Sequence, residues 1–291
     1  MKSKTINKME SVLFSIPAVI MVTLVMYVPF ALSGFYSLTS WNGIAREPIF
    51  IGLENFVTIF TQGDDFLDAL IFTGRYTALF IILTNVLALA LALVLVKKFR
   101  LANLFRGMFF VPYIMSMIIV GFIWRFVFSQ GFAHLFEITG WGIFNWSWLG
   151  DGNLAFYSVV IAGVWQSLGF YIVLYIAGLQ TMPADVLEAA TVDGCTGFKR
   201  LTRITIPLLW PSVITCTFMS LINALKVFDI ILALTRGGPG GATYSATLNI
   251  YREAFQNNNF GLGSAKSLVY FILVLALTQL VLKLLRKHEV N

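Results

Sequence analysis

Long apolar stretches alternate with short charged breaks along the whole chain. No charged residue stands between Glu10 and Arg46, between Arg75 and Lys97, or between Arg106 and Arg125. Three further uncharged gaps run from Asp151 to Asp185, from Arg203 to Lys226 and from Lys266 to Lys283. A helix needs about 20 mostly apolar residues to cross about 30 Å of hydrocarbon, and these gaps have that scale. The pattern predicts six spans, over 12–36, 76–96, 107–129, 155–179, 207–234 and 264–284. The sixth gap is short, and the stems of Lys266 and Lys283 are expected to snorkel to the interfaces and make up the difference. The first span outruns the ~7–15 residues of a signal-peptide core. It also contains Pro17 and Pro29, and no small-residue cleavage site leads from it into a soluble domain.

Composition supports the membrane reading. Of 291 residues, 58% are apolar and 12% charged, against about 45–50% and about 25% in soluble domains. The mean hydropathy is +0.82. These values exclude a soluble domain, a disordered chain, a coiled coil and a disulfide-framed module. Cys195 and Cys216 are too few for such a framework. The expected fold is an all-α integral membrane protein, one transmembrane domain over 1–291.

The net charge of +6 would matter for nucleic acid only if the basic residues shared one soluble face. They follow the spans instead. Lys2, Lys4, Lys8, Lys97, Lys98, Arg100, Arg106, Lys199, Arg200, Arg203, Lys283, Arg286 and Lys287 fall on one side, which is 13 of the 20. Arg46, Arg75, Arg236, Arg252 and Lys266 fall on the other, and Arg125 and Lys226 lie within spans. Basic loops stay in the cytoplasm, so both termini are expected there. No nucleic-acid partner is needed to explain the charge. The outer loops are then 37–75, 130–154 and 235–263. The run Trp141 to Trp148 reads either as an interfacial aromatic belt or as a sugar-stacking platform.

Catalytic chemistry is missing from the pattern. Two histidines, His134 and His288, build neither a zinc motif nor a His-based triad, and no metal set is expected. There is no GxSxG, and Trp148 replaces the first glycine of a GxGD. Gly261 to Ser267 resembles part of a phosphate-binding loop, but Ala265 stands where the motif requires glycine before its lysine. An enzyme is not expected, and neither is a bound cofactor.

The segment 180–206 is longer than a connector needs. Pro183 suits a first helical position, with Asp185 and Glu188 near the positive N-terminal end. Gly194 suits a left-handed C-terminal cap. Thr196 is placed to cap a second short helix carrying Phe198, Leu201 and Ile204, and Pro207 then starts the fifth span.

Glu188-Ala189-Ala190, then Gly194, then Ile204-x-x-Pro207 resembles the EAA loop of permease subunits in bacterial binding-protein-dependent ABC importers. Ser40-Trp-Asn-Gly43, Gly52-Leu-Glu-Asn-Phe56, Arg106 to Pro112, Ala177 to Gln180, Val227-Phe-Asp229 and Leu234 to Pro239 are similar to the sugar branch of that family, typified by the larger maltose permease subunit. The likeness runs from about residue 12 to 284. Arg236 departs from it, standing where the family often has a small residue.

The resemblance implies a multi-pass protein of the bacterial cell membrane that forms half of a translocation pathway for a sugar or oligosaccharide. A second homologous permease forms the other half. Two separate ATPase subunits bind the ATP, and an extracytoplasmic solute-binding protein delivers the substrate. It also implies that Glu188, Ala189, Ala190, Asp193, Gly194 and Pro207 form the ATPase-coupling element. Without a partner, Glu188 would only offset a helix dipole.

Polar groups inside a membrane mark functional positions. Gln166, Phe170, Asn223 and Lys226 are the candidates for the substrate pathway, with helix packing by polar groups as the alternative role. Lys226 and Asp229, at i and i+3, are expected to form a structural ion pair. Arg125 is expected to snorkel. An ATP-independent secondary transporter or channel is the competing function, but Asp229 is its only intramembrane carboxylate for ion coupling. A membrane scaffold would leave the 180–206 segment without a purpose.

Overall fold

A computed structural model describes residues 14–61, 65–97 and 99–287. Lys2, Lys4, Lys8, Lys98 and His288 lie outside these, as do positions 12 and 13 of the first expected span. Among the described residues every regular element is helical, and one isolated bridge joins Thr39 to Phe50.

Five helices are long and apolar enough to cross a membrane: Phe14–Tyr36, Phe66–Leu95, Met117–Thr139, Gly152–Gln180 and Phe260–Lys287. A bent pair, Gly197–Leu208 and Trp210–Leu225, makes a sixth when taken as one span. Three expected boundaries need correction. The second span begins at Phe66 rather than 76, because Arg75 does not end it: its guanidinium lies 5.1 Å over the Phe156 ring. The third expected span, 107–129, is two helices. Ala102–Ile114 stops where Met115 turns extended (ψ 144°), and a new helix starts after Ser116 (ψ 136°). Pro112, which has no N–H and crowds the preceding turn, weakens the ladder just before that stop. The fifth expected span, 207–234, breaks at Lys226–Phe228 and resumes as Asp229–Leu234.

The described residues fall into two compact units. One holds the chain up to Phe66 together with Ile250–Ile272. Here the Ser40-Trp-Asn-Gly43 and Gly52-Leu-Glu-Asn-Phe56 pieces prove structural. Trp41 stacks on Tyr36 at 4.3 Å and meets the edge of Phe260. Asn55, buried, donates from Nδ2 to the carbonyls of Ser37 at 2.9 Å and Thr39 at 2.8 Å. Gly261 lies against the Thr39 carbonyl, which a Cβ would strike. That contact accounts for a glycine in the false phosphate-loop pattern. Lys266 does not snorkel as expected. It is fully buried and ion-paired with Glu253 at 2.9 Å.

The other unit holds Leu67–Asn249 and the residues from Leu273 onward. The helix Gly152–Gln180 is its centre and is buried along most of its length. Lipid removes the usual hydrophobic drive between helices, so small residues that allow close backbone contact decide the packing. Gly169 abuts the Phe109 backbone, where a Cβ would collide with the carbonyl oxygen. A Cβ on Gly121 would come within 2.5 Å of the Ala233 Cβ, so Asp229–Leu234 lies directly on the third span.

Candidate functional site: a cavity at two helix breaks and a capped elbow

Both helix breaks open onto one cavity of about 220 Å³. Gln166 and Ser167 line it from the fourth span, Tyr76 and Phe80 from the second, and Tyr113 and Met117 from either side of the first break. Asn223 and the run Lys226–Ile230 line it from the second break. A helix end leaves carbonyls without intrahelical partners, and inside a membrane each needs another donor. The structure supplies them from distant side chains. Gln166 Nε2 donates to the Tyr113 carbonyl at 3.3 Å. The Val227 carbonyl accepts from Ser245 Oγ at 2.8 Å and from Thr247 Oγ1 at 2.6 Å. Thr73 Oγ1 in turn accepts from the Ala246 N–H at 2.9 Å.

Behind the cavity two sets of polar side chains link the second, fourth and fifth spans. Asn223 Nδ2 donates to the Tyr171 hydroxyl at 3.1 Å. The Tyr175 hydroxyl donates to Asn85 Oδ1 at 2.7 Å, and Asn85 Nδ2 donates to Ser220 Oγ at 3.0 Å. Sequence reading passed over Asn85, Tyr171, Tyr175 and Ser220. An amide inside the apolar run of the second span was the available signal.

The candidate residues separate accordingly. Gln166, Asn223 and Lys226 meet at the cavity. Phe170 stands behind it, its ring stacked on Tyr113 at 4.8 Å. Lys226 and Asp229 do not form the expected ion pair. Both are exposed, and neither has an ion pair or side-chain hydrogen bond among the described residues. The i, i+3 argument assumed a continuous helix, whereas Lys226 ends one helix (φ −94°, ψ 12°) and Asp229 begins another. Arg125 is exposed on the third span. In the Trp141–Trp148 run, Trp141 is exposed, while Trp148 stacks on Phe128 at 5.3 Å and donates from Nε1 to the Ile143 carbonyl at 2.9 Å.

The cavity thus presents an ammonium, a carboxylate and two amides between aromatic walls. Amides and charges can exchange hydrogen bonds with hydroxyl groups, and ring faces can take the C–H side of a polar ligand. Among the described residues no cluster of three or more metal-ligating side chains exists.

The second site is the elbow. Its helix is Ala184–Val192, and Pro183 precedes it at the N-cap rather than occupying its first position. Asp185 is in the first turn, and Glu188 and Ala189 are exposed one turn on, while Ala190 is buried. Asp193 is the C-cap and Gly194 adopts φ +70°. The Cys195 N–H then bonds to the Ala190 carbonyl at 2.8 Å and the Gly194 N–H to the Thr191 carbonyl at 3.1 Å. These are the two bonds of a Schellman cap, with Cys195 and Ala190 as its buried apolar contact. Thr196 takes the N-cap position of the next helix without a side-chain bond. Pro207 does not start the fifth span. It lies in Gly197–Leu208, after a wide turn over Leu201–Thr205, and the chain bends by 73° before Trp210. Pro211 takes the early position in the span proper. Val192 and Phe198 leave large apolar surfaces exposed on the two helices of the elbow, at 87% and 78%.

Comparison with known proteins gives this geometry a context. Residues 84–288 match the family described as the binding-protein-dependent transport system inner membrane component. The chain is 34% identical to the probable starch degradation products transport system permease protein AmyD of Thermoanaerobacterium thermosulfurigenes, over 96% of this chain and 94% of that one. It is 33% identical to the multiple sugar-binding transport system permease protein MsmF of Streptococcus mutans, over 99% of each. Its fold matches a chain of the bacterial alginate ABC transporter crystallised with an alginate pentasaccharide-bound periplasmic protein, at a TM-score of 0.81 and 20% identity over 97% of this chain and 96% of that one. The matched relatives are transport permeases, not enzymes. With the family model covering most of its length, this chain belongs to the inner membrane components of binding-protein-dependent transport systems, among the sugar ABC transporter permeases.

Proposed function

We propose that the chain, acting as one permease domain, forms half of a translocation pathway for a sugar or oligosaccharide in the bacterial cell membrane, and that ATP hydrolysis on separate subunits drives it. Both termini and the elbow lie in the cytoplasm in this reading, in keeping with the Lys and Arg distribution. A second homologous permease completes the pathway, and an extracytoplasmic binding protein loads it. The observation that carries the proposal is the cavity at the two helix breaks. Lys226 and Asp229 line it with no ion pair or side-chain hydrogen bond among the described residues, in a segment where charged groups mark function. Gln166 and Asn223 complete the solute-facing set, and Phe170 supports Tyr113 from behind.

The elbow carries the coupling. Glu188, Ala189, Ala190 and Asp193 sit on a helix too short to be stable alone, fixed by the cap at Gly194. An ATPase seated on Glu188 and the exposed Phe198 would push on a rigid piece joined to the fifth span through Pro207 and the 73° bend. Rigid-body motion at the elbow then widens or closes the cavity.

The test is purification of the tagged full chain from its own host. An ATPase and a second permease are expected to copurify, and cysteine probes should label position 145 from outside but 199 only after permeabilisation. Solute accumulation by vesicles containing this chain alone, without ATP, would overturn the proposal.

A further inference from the structure

A second cavity, of about 570 Å³, lies where the elbow meets the ends of the second and fourth spans. Leu93 and Val96 line it from the second span, Leu179 from the fourth and Leu187 from the elbow helix. Among the described residues, Lys97 and Arg200 are its charged residues and no carboxylate lines it. Arg200 is steadied by Thr191 Oγ1 at 3.4 Å, and the Lys97 side chain is exposed with no bond among the described residues. The neighbouring Arg106 is committed elsewhere, donating through Nε and Nη2 to the Leu95 carbonyl at 3.2 and 2.5 Å. The result is an apolar hollow with two cations and, among the described residues, nothing of opposite charge.

We infer that this cavity binds an anionic phospholipid, its phosphate between Lys97 and Arg200 and its acyl chains along Leu93, Val96, Leu179 and Leu187. Neither half of the cavity suits a simpler occupant. A free anion would leave the leucine walls wetted, and a neutral hydrocarbon would leave the two cations without a counter-charge. Basic pockets between spans at the cytoplasmic face suit acidic headgroups, because the inner leaflet is itself anionic. Placing the site in that leaflet rests on the orientation proposed above, whereas the match of charge and shape does not. The lipid would tie the elbow to the ends of two spans and so set how stiffly the coupling element moves.

The experiment uses the full chain in neutral detergent, where both faces are open and orientation plays no part. The probes are photoactivatable phosphatidylglycerol, photoactivatable phosphatidylcholine and, as competitor, inorganic phosphate. Each cation near a lipid phosphate is worth about fivefold, so phosphatidylglycerol should label the chain about 30-fold better than phosphatidylcholine. The crosslinks should map to the segments around Leu93 and Leu179. Changing Lys97→Gln with Arg200→Gln should reduce labelling to the phosphatidylcholine level. Lys97→Arg with Arg200→Lys should retain the preference, which separates lost charge from lost folding. Equal labelling by the two lipids, an undiminished preference in the glutamine pair, or displacement of the lipid by phosphate alone would each overturn the assignment.

Discussion

Lys266, with no exposed surface, holds Glu253 at 2.9 Å while its ammonium lies 5.8 Å from the centre of the Phe66 ring. Asn259 Nδ2 takes the other oxygen of the same carboxylate at 2.8 Å. Glu253 stands outside the spans and Lys266 lies in the second turn of the sixth, so the pair fastens the segment over Arg252–Gln256 to the helix that follows. Gly263 permits that approach: a Cβ there would fall 2.7 Å from the Ala254 Cβ.

Removing one partner strands a buried charge, whereas removing both does not. Lys266→Met alone should cost about 3–5 kcal/mol. Lys266→Met with Glu253→Gln should recover most of that loss, since the glutamine oxygen still accepts from Asn259. Thermal unfolding of the purified protein is the measurement, and equal midpoints for the single and double variants would show that the pair is not coupled.

The same pair sets an acid limit. Burial pushes the Glu253 carboxyl up, but hydrogen bonds from Lys266 and Asn259 and the Lys266 charge outweigh it, so it is held below its ordinary value near 4.5. A carboxylate depressed in the folded state contributes stability above its unfolded pKa and loses it as pH falls through the folded one. Stability should therefore be steady through neutral pH and fall only below about 4.5, with Glu253→Gln flattening that acid limb. A midpoint that falls equally with acid in wild type and Glu253→Gln would refute the assignment.

Arg236 has φ +55°, a left-handed conformation that favours glycine. It caps Asp229–Leu234, its N–H bonding to the Ile231 carbonyl at 2.8 Å. A residue with Cβ is strained there by roughly 1–2 kcal/mol. Arg236→Gly should thus raise the unfolding midpoint, after a partial offset from the greater freedom of glycine in the unfolded chain. An unchanged or lower midpoint would mean that the arginine side chain is itself stabilising.

Gln166 and Lys226 share one cavity but differ in their bonding: Gln166 donates to the Tyr113 carbonyl, and Lys226 has no side-chain bond among the described residues. Gln166→Leu leaves the Tyr113 carbonyl without its donor, a loss of about 1–3 kcal/mol, so stability and uptake should fall together. Lys226→Met breaks no bond among the described residues and should change stability by no more than about 0.5 kcal/mol, yet lower uptake. Uptake and unfolding midpoints measured side by side decide it. Wild-type uptake in Lys226→Met would remove this lysine from the pathway.

Much of this could be read from the chain alone, and the omissions have one cause. Gaps between charges located the spans because inserting charge into hydrocarbon is costly, and Gly194 announced its cap because few residues tolerate φ +70°. The break at Met115 is hard to read because apolar composition continues through it, and the one at Lys226–Phe228 because Lys226 and Asp229 also suit an i, i+3 pair on one continuous helix. Their missing hydrogen bonds come from Gln166, Ser245 and Thr247, far away in sequence. Lys266 was misread for the same reason, as hydropathy cannot show that Glu253 waits beside it.

Glu188 offers the sharpest test of coupling. It lies exposed on the elbow helix with no side-chain bond among the described residues, so the fold does not depend on it. Glu188→Lys opposes the helix dipole by about 0.3–1 kcal/mol, too little to prevent insertion. It also presents the wrong charge to a docked ATPase, and a few contacts carry most of the energy of such an interface. Membrane levels should therefore stay normal while ATPase recovery and solute uptake fall, and solute binding by the external protein should not change. Gly194→Ala should weaken coupling differently, by straining the cap at φ +70° and loosening the helix behind an intact charge. Uptake beside copurified ATPase, measured in both variants, distinguishes the two effects. If Glu188→Lys leaves uptake and ATPase recovery at wild-type values, the elbow is only a connector and coupling must run through another surface.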